Sequence, residues 1–342
     1  MLYLFKAIAL KDQFYLIFKT IAFGAFLKFS VAVHCPLSIV EEFMALKTRI
    51  NRRIQKHSLK WLWKASVIPE VLPMVIFYGL ISLLVVRLHQ SGVKVSFSTI
   101  GLAIPAVVLG LLLVFRTNTA YERFWEARKL WGGQINTSRS LAQSLWTLMP
   151  TVDESHHREK QEMSKLIAAF AIACKLHLRS EAIEQELADL VAPEKQELLR
   201  QQNHPPLMIL GWLRGWVKQQ FQRGLITDRH YVYLFELIDL LNTSLGVYER
   251  ILSTPVPLAY SLHIRHLIDL YCLLFPFQVV DSLGWLTVPA TCLVTFALFG
   301  IEEIGIEIQN PFGYDENDLQ LDRYCEIIRR NIEEIAITNK EY

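Results

Sequence analysis

Four ionisable residues set in otherwise apolar sequence are the first candidates for chemistry: His263, Arg265, His266 and Asp269. His263, His266 and Asp269, at i, i+3 and i+6, share one face of a helix, and imidazoles with a carboxylate are ligands for a divalent metal. An H-x-x-H pair is a weak signal by itself, and neither H-E-x-x-H nor a second ligand cluster supports it. The competing assignment pairs Arg265 with Asp269 at i,i+4, each neutralising the other inside a helical bundle. The chain contains no G-x-S-x-G, phosphate loop or dinucleotide fingerprint. Its five cysteines (Cys35, Cys174, Cys272, Cys292 and Cys325) form no C-x-x-C pair and are odd in number, which argues against a disulfide framework and a zinc module. No catalytic residue and no metal-ligand set is assigned.

The elements that must position these residues are membrane helices. The chain is 52% hydrophobic and only 20% charged, leaner in charge than an ordinary soluble domain. Its formal charge of +2 leaves no electrostatic footprint for nucleic acid. The apolar residues are bunched: 95–115 and 282–301 carry no ionisable residue and reach the roughly 20 residues a spanning helix needs. The uncharged run 71–86 reaches that length with the preceding segment, anchored by Trp61 and Trp63. The stretch 257–280 is long enough but holds Arg265, His266 and Asp269, which must face protein or water. Four spans are therefore expected, near 66–87, 96–116, 257–280 and 284–302. Seven basic residues from Lys47 to Lys64 precede the first span, while Arg87 and Lys94 alone follow it, so the N-terminal side is cytoplasmic, and four spans return the C-terminus there.

Between the two membrane hairpins, apolar residues recur with helical period in 165–179, 205–221 and 231–251, with breakers at 150–155, 192–193 and 204–206. Strand alternation and hairpin turns are absent, so the fold class expected is all-α. The expected organisation is a segment 1–44 of its own, a basic segment and first hairpin over 45–116, a helical cytoplasmic region over 117–255, a second hairpin over 256–302 and a cytoplasmic segment over 303–342. In residues 1–35, lysines at 6, 11, 19 and 28 interrupt the apolar windows, and no small-residue cleavage site follows them. Met44, just ahead of the basic segment, is preferred as the natural start over an interfacial helix at the N-terminus.

The most specific local run is FRTNTAYERFWEARKLWG, from Phe115, at the inner end of the second span. On physics alone it is a solvated helix end with arginines reaching toward water. Together with STPVPLAYSLHIRHL at 253–267 and NPFGYDENDL at 310–319, however, it resembles the bestrophin family, specifically its bacterial branch, over about residues 45–340. The resemblance implies a homopentameric ion channel with one central pore, a narrow apolar neck in the membrane and a large cytoplasmic vestibule. It places Ile100, Ile104 and Val108 at the neck. Their i, i+4, i+8 spacing puts them on one helical face, and five such faces would stack into apolar rings that gate by dewetting. It places a second, cytosolic constriction near His230, where a ring of imidazoles would respond to pH near neutrality. Glu307, Asn310, Asp315 and Asp318 match the position of the calcium clasp of animal members. Calcium wants six to eight oxygens and the acidic run here is sparse, so capping of a helix over 319–338 by Asp315 or Asp318 is the preferred role.

The expectation is thus a passive ion channel of the plasma or inner membrane that conducts chloride or other small anions. Its partners are its own copies, the lipid bilayer and the permeant ions. No cofactor is expected, calcium being the less favoured assignment for the turn. The alternatives are a cation-conducting homologue and a membrane metalloenzyme built on His263, His266 and Asp269.

Overall fold

The computed structural model describes residues 66–97, 103–183 and 185–338 of the chain. Its helices, in order, are α1 (Ile68–Gln90), α2 (Ala103–Thr147), α3 (Glu154–Leu178), α4 (Pro193–Arg200), α5 (Pro205–Gln222), α6 (Asp228–Ser253), α7 (Leu258–Leu283), α8 (Thr287–Glu307) and α9 (Leu321–Thr338). Among the described residues there is no strand, which agrees with the all-α expectation. The segment 1–44 and the basic stretch ahead of α1 lie outside the described residues.

The helix boundaries follow local chemistry. Asp153 caps α3 by accepting the His156 N–H at 2.7 Å, and Thr227 caps α6 through the N–H of His230. Pro193 opens α4 and Pro205-Pro206 opens α5, where a missing N–H costs nothing because the first turn has no intrahelical acceptor for it. All three expected breakers are helix boundaries.

Three stretches are long and apolar enough to cross a membrane: Ile68–Gln90, Ala103–Thr147 and Leu258–Glu307. The last is two helices, because Gly284 at φ +51° opens a short 3-10 turn between α7 and α8. The chain reverses there. Val280 and Val288 pack beside Val85 and Val86, while Phe299, further along α8, stacks 5.9 Å from the ring of Tyr78. Inside the same helix pair Thr291 donates to the Ser82 hydroxyl at 3.1 Å. A Cβ on Gly79 would sit 2.9 Å from the Cys292 sulfur, so the bare backbone sets the close approach of α1 and α8.

The 45 residues of α2 extend about 67 Å at 1.5 Å per residue, roughly twice the hydrocarbon thickness of a bilayer. It therefore starts as a membrane helix and continues unbroken through position 116 into a second helical bundle. There Ala127, Trp131, Gln134, Ser138, Leu141 and Leu145 form a buried seam at alternating four- and three-residue steps, which widens at its end to take in Ala142, Ser144 and Trp146. The seam packs on α3, α6 and α9. Every residue from 166 to 176 of α3 is buried, which makes α3 the central helix of this bundle. Lys160 is 1% exposed and donates to the carbonyls of Met149 (2.8 Å) and Trp146 (3.4 Å) and to the Thr151 hydroxyl (3.2 Å). Its ammonium thus closes the C-terminal end of α2, where helical carbonyls have no intrahelical partner.

Candidate functional site

A chain of polar contacts runs through all four membrane helices. Arg116 of α2 donates to Glu302 Oε1 of α8 at 3.1 Å, and Arg265 of α7 donates to Glu302 Oε2 at 2.9 Å. Arg265 also lies 4.0 Å from Asp269, which accepts the Tyr78 hydroxyl of α1 at 2.9 Å. Arg116 and Glu302 are 3% and 2% exposed, and the Arg265 guanidinium sits 4.5 Å from the centre of the Phe299 ring. A buried carboxylate that binds two guanidiniums has both oxygens occupied, which offsets the desolvation that makes a buried charge costly. The expected Arg265–Asp269 pair is present, but Glu302 is the nearer partner.

The three ligands proposed for a membrane metalloenzyme are not brought together. His263 and His266 are exposed, Asp269 is engaged by Tyr78, and the three do not converge on a common point. The physical reason is axial spacing: i to i+6 is a rise of about 9 Å, too far for ligands of one ion on a regular helix.

Arg116 and Arg123 are not snorkelling residues of a solvated helix end. Arg116 is buried as described. Arg123 donates from Nη1 and Nη2 to the Thr254 and Ile251 carbonyls at the end of α6, and from Nε to the Gln309 carbonyl at 3.2 Å. One guanidinium therefore joins α2 to the ends of α6 and α8, filling acceptors that a helix terminus leaves open. Burial lowers its pKa below the usual arginine value.

Of the expected neck residues, Ile100 lies outside the described residues, while Ile104 and Val108 are 74% and 48% exposed within one chain. Val107, Leu111, Val114 and Phe115 extend an exposed apolar surface along the same half of α2, whose opposite face buries Leu109 and Leu113 in the helix cluster. The structure therefore leaves Ile104 and Val108 on a surface that no other described element of the chain covers.

His230 is half-buried in the first turn of α6, and its Nδ1 is enclosed without a hydrogen-bond partner.

The turn 308–320 is bound to the helical bundle by α3. Arg179 donates from Nε to the Phe312 carbonyl and from Nη2 to the Gly313 carbonyl, each at 3.0 Å, while Lys175 and Arg179 bind Asp322 at 2.7 and 3.1 Å. Phe312 is buried against the Tyr248 ring. Within the turn, Asn310 Oδ1 accepts the Phe312 N–H at 3.4 Å, Asp318 Oδ2 accepts the Asp315 N–H at 2.8 Å, and Glu307 accepts the Asn317 amide at 2.8 Å. Glu307, Asp315 and Asp318 do not gather as three converging ligands. Burial raises Asp318 to about 6, with the Asp315 and Glu307 carboxylates adding to the shift. The expected capping is corrected here: α9 begins at Leu321, so both aspartates stand outside its first turn, and Asp318 serves the loop instead.

Glu302 was not singled out in the sequence, and the available signal was its position: an acid at the end of a span otherwise free of charge. The other unanticipated cluster is His177, His204 and Glu249, brought together from α3, the residue before α5, and α6.

Three comparisons with known proteins bear on the fold and the site. A family model described as "Bacterial/Fungal Bestrophin protein" matches residues 48–334. The chain is 46% identical over 273 residues to a voltage-dependent anion channel-forming protein of Nostoc sp., covering 80% of this chain and 89% of that one. It is 42% identical over 273 residues to a protein of the same description from Synechocystis sp., with the same coverage of 80% and 89%. Among solved structures, a mutant of a bacterial bestrophin homologue from Klebsiella pneumoniae superposes with a TM-score of 0.74 at 26% identity, over 80% of this chain and 99% of that one. A second mutant of that homologue gives 0.73 at 25% identity, over 78% and 99%.

Proposed function

The chain belongs to the bacterial and fungal bestrophin family, and on that premise we propose that it is an anion channel of the cell membrane, assembled as a homopentamer around one central pore. The observation that carries this reading is the division of α2 into two faces. Its inward face buries Leu109, Leu113 and the Arg116–Glu302 pair, so the charges of the helical bundle are bound to one another. Its outward face presents Ile104 and Val108 uncovered. An ion path through a single bundle would have to break the Arg116–Glu302–Arg265 contacts, whereas a path between copies uses the surface that one chain leaves bare.

In that assembly Ile100, Ile104 and Val108 form successive apolar rings, which restrict the pore and pass ions only when wetted. Neutral rings do not choose the sign of the ion. Selectivity for anions is then set by the summed field of five copies, and the relatives described as anion channel-forming proteins support that sign over the cation alternative. Residues 117–255, with α3 at their centre, form the wall of a cytoplasmic vestibule with His230 at its exit, and both termini are cytoplasmic, as the basic residues ahead of the first span favour. The turn 308–320 is structural in this reading, held by Arg179 and by its own hydrogen bonds.

The experiment is chloride efflux from vesicles containing the purified protein, paired with native mass spectrometry of the same preparation. Efflux from a five-subunit assembly is the expected result. A verified dimer or monomer, or a pentamer whose vesicles retain chloride while releasing potassium, contradicts the proposal.

A further inference from the structure

His177 lies in the last turn of α3, His204 immediately precedes α5, and Glu249 lies one turn before the end of α6. The two imidazoles converge on one carboxylate oxygen, with His177 Nε2 at 2.9 Å and His204 Nε2 at 2.6 Å from Glu249 Oε1. The rings are 4.4 Å apart, and the three ligand atoms lie within 4.8 Å of one another, the one such group among the described residues. The other ring nitrogen of His204 is buried without a partner, so Nε2 carries the polar engagement of that ring.

We propose that His177, His204 and Glu249 form a binding site for a divalent transition-metal ion of the zinc class. Ligand bonds of 2.0–2.2 Å in a tetrahedral site put neighbouring ligand atoms about 3.3 Å apart, so the observed N···O contacts need to open by less than about 1 Å. The ion takes the place of the two Nε2 protons, and each ring then carries its proton on Nδ1. Two imidazoles and one carboxylate suit zinc, cobalt, nickel or copper, whereas calcium and magnesium select oxygen ligands. Three protein ligands leave the fourth position to water. A cleft of about 760 Å³ lined by His177, Ser180, Glu181, Gln202, Asn203 and Pro205 opens beside the His177 ligand. The bound ion ties together the ends of α3 and α6 and the start of α5. Glu249 is two residues from Ile251, whose carbonyl receives Arg123, so the tie falls on the same helix end that α2 grips.

The inference does not depend on ion conduction, and its test reads metal rather than current. Untagged full-length protein in detergent is dialysed against zinc and against cobalt, and bound metal is measured per chain together with the visible spectrum of the cobalt form. One ion per chain and a tetrahedral cobalt spectrum are expected, with no displacement by excess calcium. His177→Ala and Glu249→Gln weaken zinc binding by more than about tenfold, the least that loss of a direct ligand should cost given what outer-shell partners are worth. His266→Ala, at an exposed histidine elsewhere, leaves it unchanged. His204→Cys keeps a ligand and adds a thiolate-to-cobalt band, which also shows that the variant has folded. Zinc affinity unchanged in His177→Ala and Glu249→Gln, an octahedral cobalt spectrum, or the absence of the thiolate band in folded His204→Cys protein overturns the assignment.

Discussion

Arg116 and Glu302 stand 186 positions apart in sequence and meet at 3.1 Å, each at most 3% exposed. The pair fastens α2, the helix with the bare outer face, to α8, and Arg265 fastens the same carboxylate to α7. Removing the carboxylate leaves two guanidiniums facing each other without a counter-charge. Glu302→Gln is therefore expected to destabilise the folded protein by about 3–5 kcal/mol, the range for an orphaned buried charge. Thermal unfolding in detergent checks this, and a variant that melts with the parent would show the network to be incidental.

Ile104 and Leu109 separate the two faces of α2. Ile104→Ala truncates an exposed side chain and should leave stability within about 0.5 kcal/mol. It should raise single-channel conductance or relax selectivity, because it widens an apolar ring. Leu109→Ala empties a buried site and is expected to cost about 2–5 kcal/mol with no wider pore in whatever protein assembles. Conductance unchanged by Ile104→Ala in a correctly assembled channel would remove Ile104 from the pore.

Arg123 serves three carbonyls with one side chain. Arg123→Ala should lower stability by about 1–3 kcal/mol as those acceptors lose their donor. Arg123→Lys should recover part of the loss, since an ammonium on a shorter reach cannot reproduce the fork. Full recovery by lysine would mean that charge alone, rather than the planar geometry, holds the joint.

Lys160 carries a pH dependence of predictable sign. Burial lowers its folded pKa to about 8, below the value of about 10.4 for an unfolded lysine. Between these values the unfolded chain binds more protons, so this contribution to stability rises with pH from about 8 to 10.4 and is flat below. The full effect is at most about 3 kcal/mol, from 1.36 kcal/mol per unit. Parallel thermal melts of the parent and Lys160→Met across this range should converge or diverge accordingly: the parent gains relative to the variant as pH rises. A parent that loses ground would contradict a desolvated ammonium at this position.

Much of the fold was legible because its signals are local. Length without charge marked α1, the first part of α2 and α8, and prolines at 193 and 205 marked helix starts whose first N–H has no acceptor. The continuation of α2 far beyond position 116 was less evident, because its inner half follows a seam of mixed residues, Gln134 and Ser138 among them, rather than an apolar face. The site was legible only in part. Spacing places Ile104 and Val108 on one face, but whether that face is covered depends on the packing of Leu109 and Leu113 against the other helices. Arg123 was visible as a basic residue at a helix end, yet its partners are backbone carbonyls, which have no residue signature. Glu302 has only its place at the end of a span as a signal, because its partners Arg116 and Arg265 are 186 and 37 positions away in sequence. His177, His204 and Glu249 come from separate parts of the chain, and no local spacing connects them.

In the proposed channel the bare face of α2 lines an anion path between copies. It is tested by the reversal potential of the purified protein in a planar bilayer under a potassium chloride gradient. Reversal close to the chloride equilibrium potential is expected, and reversal close to the potassium potential contradicts an anion path.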